Sequence, residues 1–202
     1  MTRDSTVACM SRLGWLAAIT ALIGCSMGMC RPAAAITMRR LAFSEVVAAA
    51  DRAFVGHVVS QHSGRDEAGR PCTWVTFAVR QSLFGAAGER ITIKQFGVLG
   101  PLADGTAVHW AGMPAYKPGQ ELVIFLSPDS EAGFSSPVGL TQGTYAVQTR
   151  DGRSIVRVAP DNAPLPATSR FQREAAQPGL PVEFDLQQFV DTARDVKAAA
   201  PK

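Results

Sequence analysis

The chain has 202 residues, of which 47% are hydrophobic, 18% charged and 7% aromatic. This composition is that of an ordinary globular protein and excludes a chain that is disordered throughout. The 20 Lys and Arg residues nearly balance the 17 Asp and Glu residues. A formal charge of +3 therefore gives no electrostatic case for nucleic-acid binding, which requires basic residues concentrated in a patch. The length favours one domain, or one domain with a tail.

Residues 1–35 predict a secretory signal peptide. A basic start precedes an apolar stretch at 13–24, which is too short to cross a hydrocarbon core about 30 Å thick. The small residues that follow, at 33–35, supply a cleavage pattern that makes Ile36 the new N-terminus. We therefore expect a protein of the periplasm or the medium.

A second cleavage site lies before Cys25, where Leu-Ile-Gly-Cys resembles the bacterial lipoprotein box. Lipidation of Cys25 would hold the protein at a bacterial membrane by acyl chains, which is the alternative location. Cleavage after Ala35 is favoured because the folded pattern begins almost at once after it. It leaves Cys72 as the one cysteine, so no internal disulfide forms and the core must be sufficient without one.

The pattern after residue 36 predicts mainly β structure. Ser44 is the expected cap of a short amphipathic helix that runs through Asp51. Segments rich in β-branched and aromatic residues follow, separated by turns of Gly, Pro and Asp, and the first two predict a hairpin. These segments are 53–60, 72–85, 89–98, 121–127, 138–148 and 154–159.

This element order predicts a small β-barrel of five to six strands, closed or partly open, over residues 36–159. Residues 160–181 contain five prolines and predict a linker. Residues 182–199 are assigned to a C-terminal amphipathic helix, for which Asp185 is the expected N-cap.

The sequence contains no recognisable catalytic or metal-binding motif. His57, His62 and His109 lack a metal-ligand spacing, and Cys72 has no partner that the sequence identifies. No nucleophile elbow, phosphate loop or dinucleotide fingerprint occurs. We therefore predict no catalytic residue, no metal and no cofactor, and an enzyme is the third-ranked class.

Residues 99–115 are interrupted by Gly and Pro and predict a long loop, which in compact domains is usually functional or mobile. His109 and Trp110 lie in this loop. They are candidate partner-binding residues, because aromatic residues in such loops often make contacts. The same Trp could instead fold back as a lid on the barrel.

Several segments resemble the netrin-like domains, which include the tissue inhibitors of metalloproteinases. The similar segments are 50–60, 74–79 and 83–85, while 118–121 and 139–143 match features of exported bacterial proteins of no known activity. The resemblance covers about residues 36–148 and implies an OB-like fold for the barrel.

The resemblance also implies one specific mode of binding. Inhibitors of that group chelate the zinc of their target through the amino group and carbonyl of a first Cys residue, which disulfides clamp, and a small hydroxyl residue follows. Here Ile36 and Thr37 would occupy these two positions, without a disulfide clamp.

Together these features predict an exported, non-catalytic binding module whose partner is an unidentified protein. The alternative is a metalloproteinase inhibitor that acts on an exported protease through Ile36 and Thr37. Nucleic acid is not expected as a partner, and a membrane is expected only if Cys25 is lipidated.

Overall fold

The computed structural model describes residues 39–86, 88–110, 112–160, 162–163 and 182–200. The predicted signal peptide with Cys25 lies outside the described residues, as do Ile36, Thr37 and most of the predicted linker.

The described residues form one antiparallel sheet of seven strands in the order β3-β2-β1-β4-β5-β6-β7. The strands are β1 (Arg52–Arg65), β2 (Pro71–Phe84), β3 (Arg90–Phe96), β4 (Glu121–Leu126), β5 (Thr144–Arg150), β6 (Arg153–Val158) and β7 (Val182–Asp185). Two α-helices, α1 (Phe43–Ala49) and α2 (Leu186–Ala199), and a 3-10 turn (Leu140–Gly143) complete the fold. The prediction of a mainly β protein with one helix near each end is confirmed.

The sheet differs from the prediction in strand number and in closure. It has seven strands rather than five to six, and the edge strands β3 and β7 do not pair with each other in the described part of the chain. The additional strand, β7, lies at 182–185, which was assigned to the C-terminal helix. These four residues pair with β6, and the helix begins only after Asp185, whose carboxylate accepts hydrogen bonds from the next turn as predicted.

Helix α1 is shorter than predicted and begins two residues earlier than a Ser44 cap would place it. Its N-cap is Ala42, whose backbone N–H donates to the Glu45 carboxylate at 2.7 Å. The helix ends at Ala49 because the backbone N–H of Asp51 already donates to the carbonyl of Leu126, next to the β1–β4 pairing.

Hydrophobic residues fill both faces of the central strands. On one face the two helices pack on the sheet, and Phe43, Phe125 and Phe189 form the centre of this cluster. On the other face Phe54 and Phe77 form a second cluster with neighbouring strand residues. Strand β4 contributes to both clusters, so every residue after its first is buried, as predicted for this segment.

Candidate functional site

The most promising cavity is a cleft on the face of β4, β5 and β6 opposite the helices, which we call the sheet cleft. Leu122, Ala146 and Arg157 line its floor, because they are direct partners across these three strands. Thr144 also faces the cleft, two residues before Ala146. The cleft has a volume of about 350 Å³. Small-molecule sites typically have volumes of about 300–1,000 Å³.

The roof of the sheet cleft comes from the segment between β3 and β4, which we call the 97–120 loop. Pro114, Ala115 and Tyr116 line the cleft from this side. The loop is fixed to β1, since the Gln61 side-chain amide donates to the carbonyl of Tyr116 at 2.9 Å. The Tyr116 ring packs edge-on against Phe77, with centroids 5.3 Å apart. The position of Tyr116 is therefore set by both backbone and side-chain contacts.

Three buried polar side-chain atoms meet beneath the 97–120 loop. They are the Tyr116 hydroxyl, the Thr144 Oγ1 and the Gln95 Nε2. Burial raises the pKa of Tyr116 well above its usual value, and the nearby Thr144 and Gln95 side chains lower it in part. These two lowering contributions are side-chain hydrogen bonds, so the three groups are close enough to pair with one another. Their polar atoms have almost no accessible surface, which indicates that the group holds the 97–120 loop against the sheet.

One cation faces the sheet cleft. The Arg157 side chain is exposed and makes no ion pair or hydrogen bond with the residues that the structure describes. Its cross-strand neighbour Glu183 pairs instead with Arg150, at 2.8 Å. The lining contains no Asp, Glu, His or Cys among the described residues, so the cleft combines neutral polar groups with one positive charge.

The predicted contact residues lie beside the sheet cleft rather than in it. His109 and Trp110 line a smaller cavity of about 100 Å³, and both side chains are exposed. The Trp110 ring packs edge-on against Phe96 with centroids 5.0 Å apart, and 46% of the residue stays accessible. Gln95 lines this smaller cavity, and Pro114 and Ala115 line both cavities. His109 and Trp110 are therefore only a few residues along the chain from Pro114 and Ala115, which line the sheet cleft.

The sequence left Tyr116, Thr144 and Arg157 unassigned. A signal existed for Arg157, because it alternates with Val156 and Val158 and so belongs to the opposite face of the strand. Tyr116 follows directly after the segment predicted as a loop. No sequence signal reveals that its hydroxyl and that of Thr144 are buried next to each other, since this depends on which strands and loops meet.

Outside the sheet cleft, a cluster of charged side chains joins the β1–β2 turn to β3. The Asp66 carboxylate accepts hydrogen bonds from Arg70 Nε at 2.9 Å and Lys94 Nζ at 3.1 Å. Both cations also lie over the ring of Phe134. Every charge at the centre of this cluster is paired within the protein, which indicates that the cluster holds the turn in place.

The described residues give no support for a cysteine nucleophile or for a clustered metal site. Cys72 is fully buried, and burial raises the pKa of its thiol, so a reactive thiolate is disfavoured. His62 stacks on Trp74 with ring centroids 4.9 Å apart. Across the described ranges, no three His, Cys, Asp or Glu residues are grouped as a metal site would need. None of the helices in those ranges has the length and apolar character to span a membrane.

No protein-family model matches the chain, and no curated protein is significantly similar to it.

Proposed function

We propose that the protein is an exported, non-catalytic binding module that holds a small polar ligand in the sheet cleft. The observation that carries this proposal is the exposed Arg157 side chain, which faces a cleft of about 350 Å³ and makes no ion pair among the described residues. The guanidinium offers N–H donors to a ligand, and no acidic side chain of the described lining competes for them.

The lining supports binding rather than catalysis. General acid–base and nucleophilic mechanisms use side chains that titrate near neutral pH or a nucleophile paired with a base. Among the described residues of the cleft the titratable side chains are Tyr116 and Arg157. The pKa of Tyr116 is raised by burial, so its hydroxyl does not suit proton transfer near neutral pH.

We also propose that the sheet belongs to an OB-like, partly open barrel of the netrin-like type. Its support is a parallel bridge between Lys94 and Phe134 and an antiparallel bridge between Leu126 and Pro137. Through these bridges the segment after β4 lies beside both β4 and the edge strand β3. The inhibitor alternative depends on Ile36 and Thr37, which lie outside the described residues, and no described contact favours it.

The test is a thermal-shift screen of small polar compounds against the purified protein, repeated with Ala146→Leu. The larger side chain should fill the floor of the cleft and abolish the shift that a bound ligand produces. A ligand present at 100 times its Kd stabilises the wild type by about 2.7 kcal/mol, which is readily measured. Ala68→Leu, at an exposed turn position, is the matched control and should keep the shift.

Two results would contradict the proposal: no compound that shifts the wild type, or a shift that Ala146→Leu retains.

Intact-mass measurement of the exported protein tests its location. A mature chain that begins at Ile36 is expected, an acylated Cys25 would support the membrane-anchored alternative, and an unprocessed cytoplasmic chain would contradict export.

A further inference from the structure

We infer that the free edge of strand β3 binds an extended acidic segment of a partner protein, which adds to the sheet as a further strand. The edge offers the backbone N–H and C=O groups of Arg90 and Thr92, and the Arg90 guanidinium favours an acidic partner. Neither residue lines the sheet cleft, so this inference does not depend on the proposed function.

The pairing between β2 and β3 determines which backbone groups face the outer edge. The carbonyl of Lys94 accepts a hydrogen bond from the backbone N–H of Ser135 at 2.9 Å, on the side of β3 away from β2. The register between β2 and β3 contains no bulge. Because the direction of hydrogen bonding alternates along an antiparallel strand, the backbone groups of Thr92 and Arg90 face the same outer side as that of Lys94.

Two further contacts give the same direction. The Oγ1 atoms of Thr76 and Thr92 lie 2.9 Å apart, and side chains approach most closely in pairs that exchange no backbone hydrogen bonds. The carbonyl of Glu89 accepts a hydrogen bond from the N–H of Val79 at 2.8 Å, so Glu89 faces β2. The next residue, Arg90, therefore faces away from β2.

These edge groups have no partner within the part of the chain that the structure describes. No hydrogen bond from another segment of that part reaches the backbone of Arg90 or Thr92, and both residues are exposed. The parallel bridge between Lys94 and Phe134 shows that an extended segment can lie along this edge. It leaves Arg90 and Thr92 open to a second segment.

Arg90 determines the charge of the partner. The neighbouring cations are paired within the protein, Arg80 with Glu121 at 2.8 Å and Lys94 with Asp66 at 3.1 Å. The Arg90 side chain makes no ion pair or hydrogen bond with the described residues. An acidic side chain opposite Arg90 on an added strand would therefore form a stabilising cross-strand pair.

A second copy of this chain does not fit the same edge. In a two-fold dimer the β3 strands would pair antiparallel. The two Arg90 side chains, or Arg90 and Lys94, would then become direct or diagonal neighbours. Like charges at such positions are unfavourable, and charged edge strands commonly protect a sheet from self-association. The edge is suited to a different chain.

The test is fluorescence anisotropy of a labelled Val-Glu-Val-Glu-Val peptide titrated with the full mature protein. When the Glu backbone groups pair with β3, both carboxylates lie on the face of Arg90. The corresponding Val-Lys peptide should bind about tenfold more weakly. N-methylation of the Glu residues should abolish binding. N-methylation of the Val residues should not, because their N–H groups point away from β3.

Thr92→Pro tests the backbone contact from the side of the protein. It removes an edge N–H group and keeps the pairing with β2, since Pro is tolerated where the N–H faces away from the sheet. It should weaken the Val-Glu peptide about tenfold. Thr92→Val is the matched control, because it keeps the N–H and loses only the hydroxyl, and it should bind like the wild type. Circular dichroism of Thr92→Pro checks that the sheet is intact.

Arg90→Glu tests the charge and should reverse the preference, so that the Val-Lys peptide binds more tightly than the Val-Glu peptide. Arg153→Glu is the control, because Arg153 is exposed on β6, which has a strand on each side, and it should keep the preference for Glu. Ala146→Leu, in the sheet cleft, should leave peptide binding unchanged. Three results would overturn the inference: a Val-Glu peptide that does not bind, a peptide N-methylated at Glu that binds as well as the unmodified one, or an Arg90→Glu variant that still prefers Glu.

Discussion

The carboxylate of Asp66 is the most heavily hydrogen-bonded acidic group described above. It accepts hydrogen bonds from the backbone N–H groups of Ala68 and Arg70 and from the side chains of Arg70 and Lys94. These donors, the Arg70 side chain above all, hold the pKa of Asp66 well below its usual range. The turn therefore depends on Asp66 being ionised.

This dependence predicts how Asp66→Asn changes stability with pH. An unfolded Asp titrates near pH 3.9, and the folded pKa is lower, so the stabilisation is present above about pH 4. It is lost as the pH falls towards the folded pKa. Urea unfolding should show Asp66→Asn to be less stable than the wild type at pH 7, with a difference that shrinks below about pH 4.

Asp151→Asn is the control, because Asp151 lies exposed in the β5–β6 turn at a positive φ of 50°, which Asn also adopts. It should follow the wild type at every pH. A difference for Asp66→Asn that stays constant across this range would show that the carboxylate charge is not the cause.

At the scale of elements, a side chain at the C-terminal end of α2 binds the C-terminal end of α1. Lys197, in the last turn of α2, donates to the carbonyl oxygens of Val47, Ala48 and Ala50 at 3.3, 3.2 and 2.7 Å. These carbonyls lie at the C-terminus of α1, where a cation is favoured. The two helices are thus joined by a charge that satisfies carbonyls with no partner inside α1.

Lys197→Met should therefore lower the free energy of unfolding by about 1–2 kcal/mol, since it keeps the apolar stem but removes the donor. Chemical denaturation measures the change. Lys117→Met, in the exposed turn before β4, is the matched control and should have an effect within about 0.5 kcal/mol. Equal stability of Lys197→Met and the wild type would show that the contact contributes nothing.

The elements that can be predicted from the sequence are those whose pattern lies in their own residues. Six strands are predictable because each combines β-branched residues with flanking turns. The Asp185 cap is predictable because its pattern involves only neighbouring residues. Strand β7 was missed because four residues carry little pattern and are defined by their pairing with β6. The start of β5 was misplaced because residues 140–143 form a 3-10 turn, in which Gln142 bonds the backbone of Leu41 and Arg39. That turn depends on a contact about a hundred residues away.

The whole molecule is organised around one aromatic cluster. Phe43 of α1, Phe125 of β4, Tyr145 of β5 and Phe189 of α2 lie with ring centroids 4.9 to 6.4 Å apart. Each ring comes from a different element, so the cluster joins both helices to the middle of the sheet. The sheet cleft lies on the opposite face of the strands that this cluster supports.

Phe189→Ala should lower the free energy of unfolding by about 3–5 kcal/mol, because it leaves a cavity that neighbours from three other elements must line. A loss of this size is a large part of the total stability of a typical domain. Urea denaturation followed by circular dichroism checks it. Phe134→Ala, at a half-buried ring near the surface, should lose clearly less, and an equal loss would contradict a central role for the cluster.

The packing of Phe43 against Phe189, with ring centroids 5.4 Å apart, has a consequence for when the protein can fold. During synthesis Phe43 emerges first, but its partner ring is made only after nearly the whole chain has been translated. Closing so long a loop is slow, and the core stays incomplete until it closes. The aromatic cluster therefore cannot be complete before residue 189 has been made.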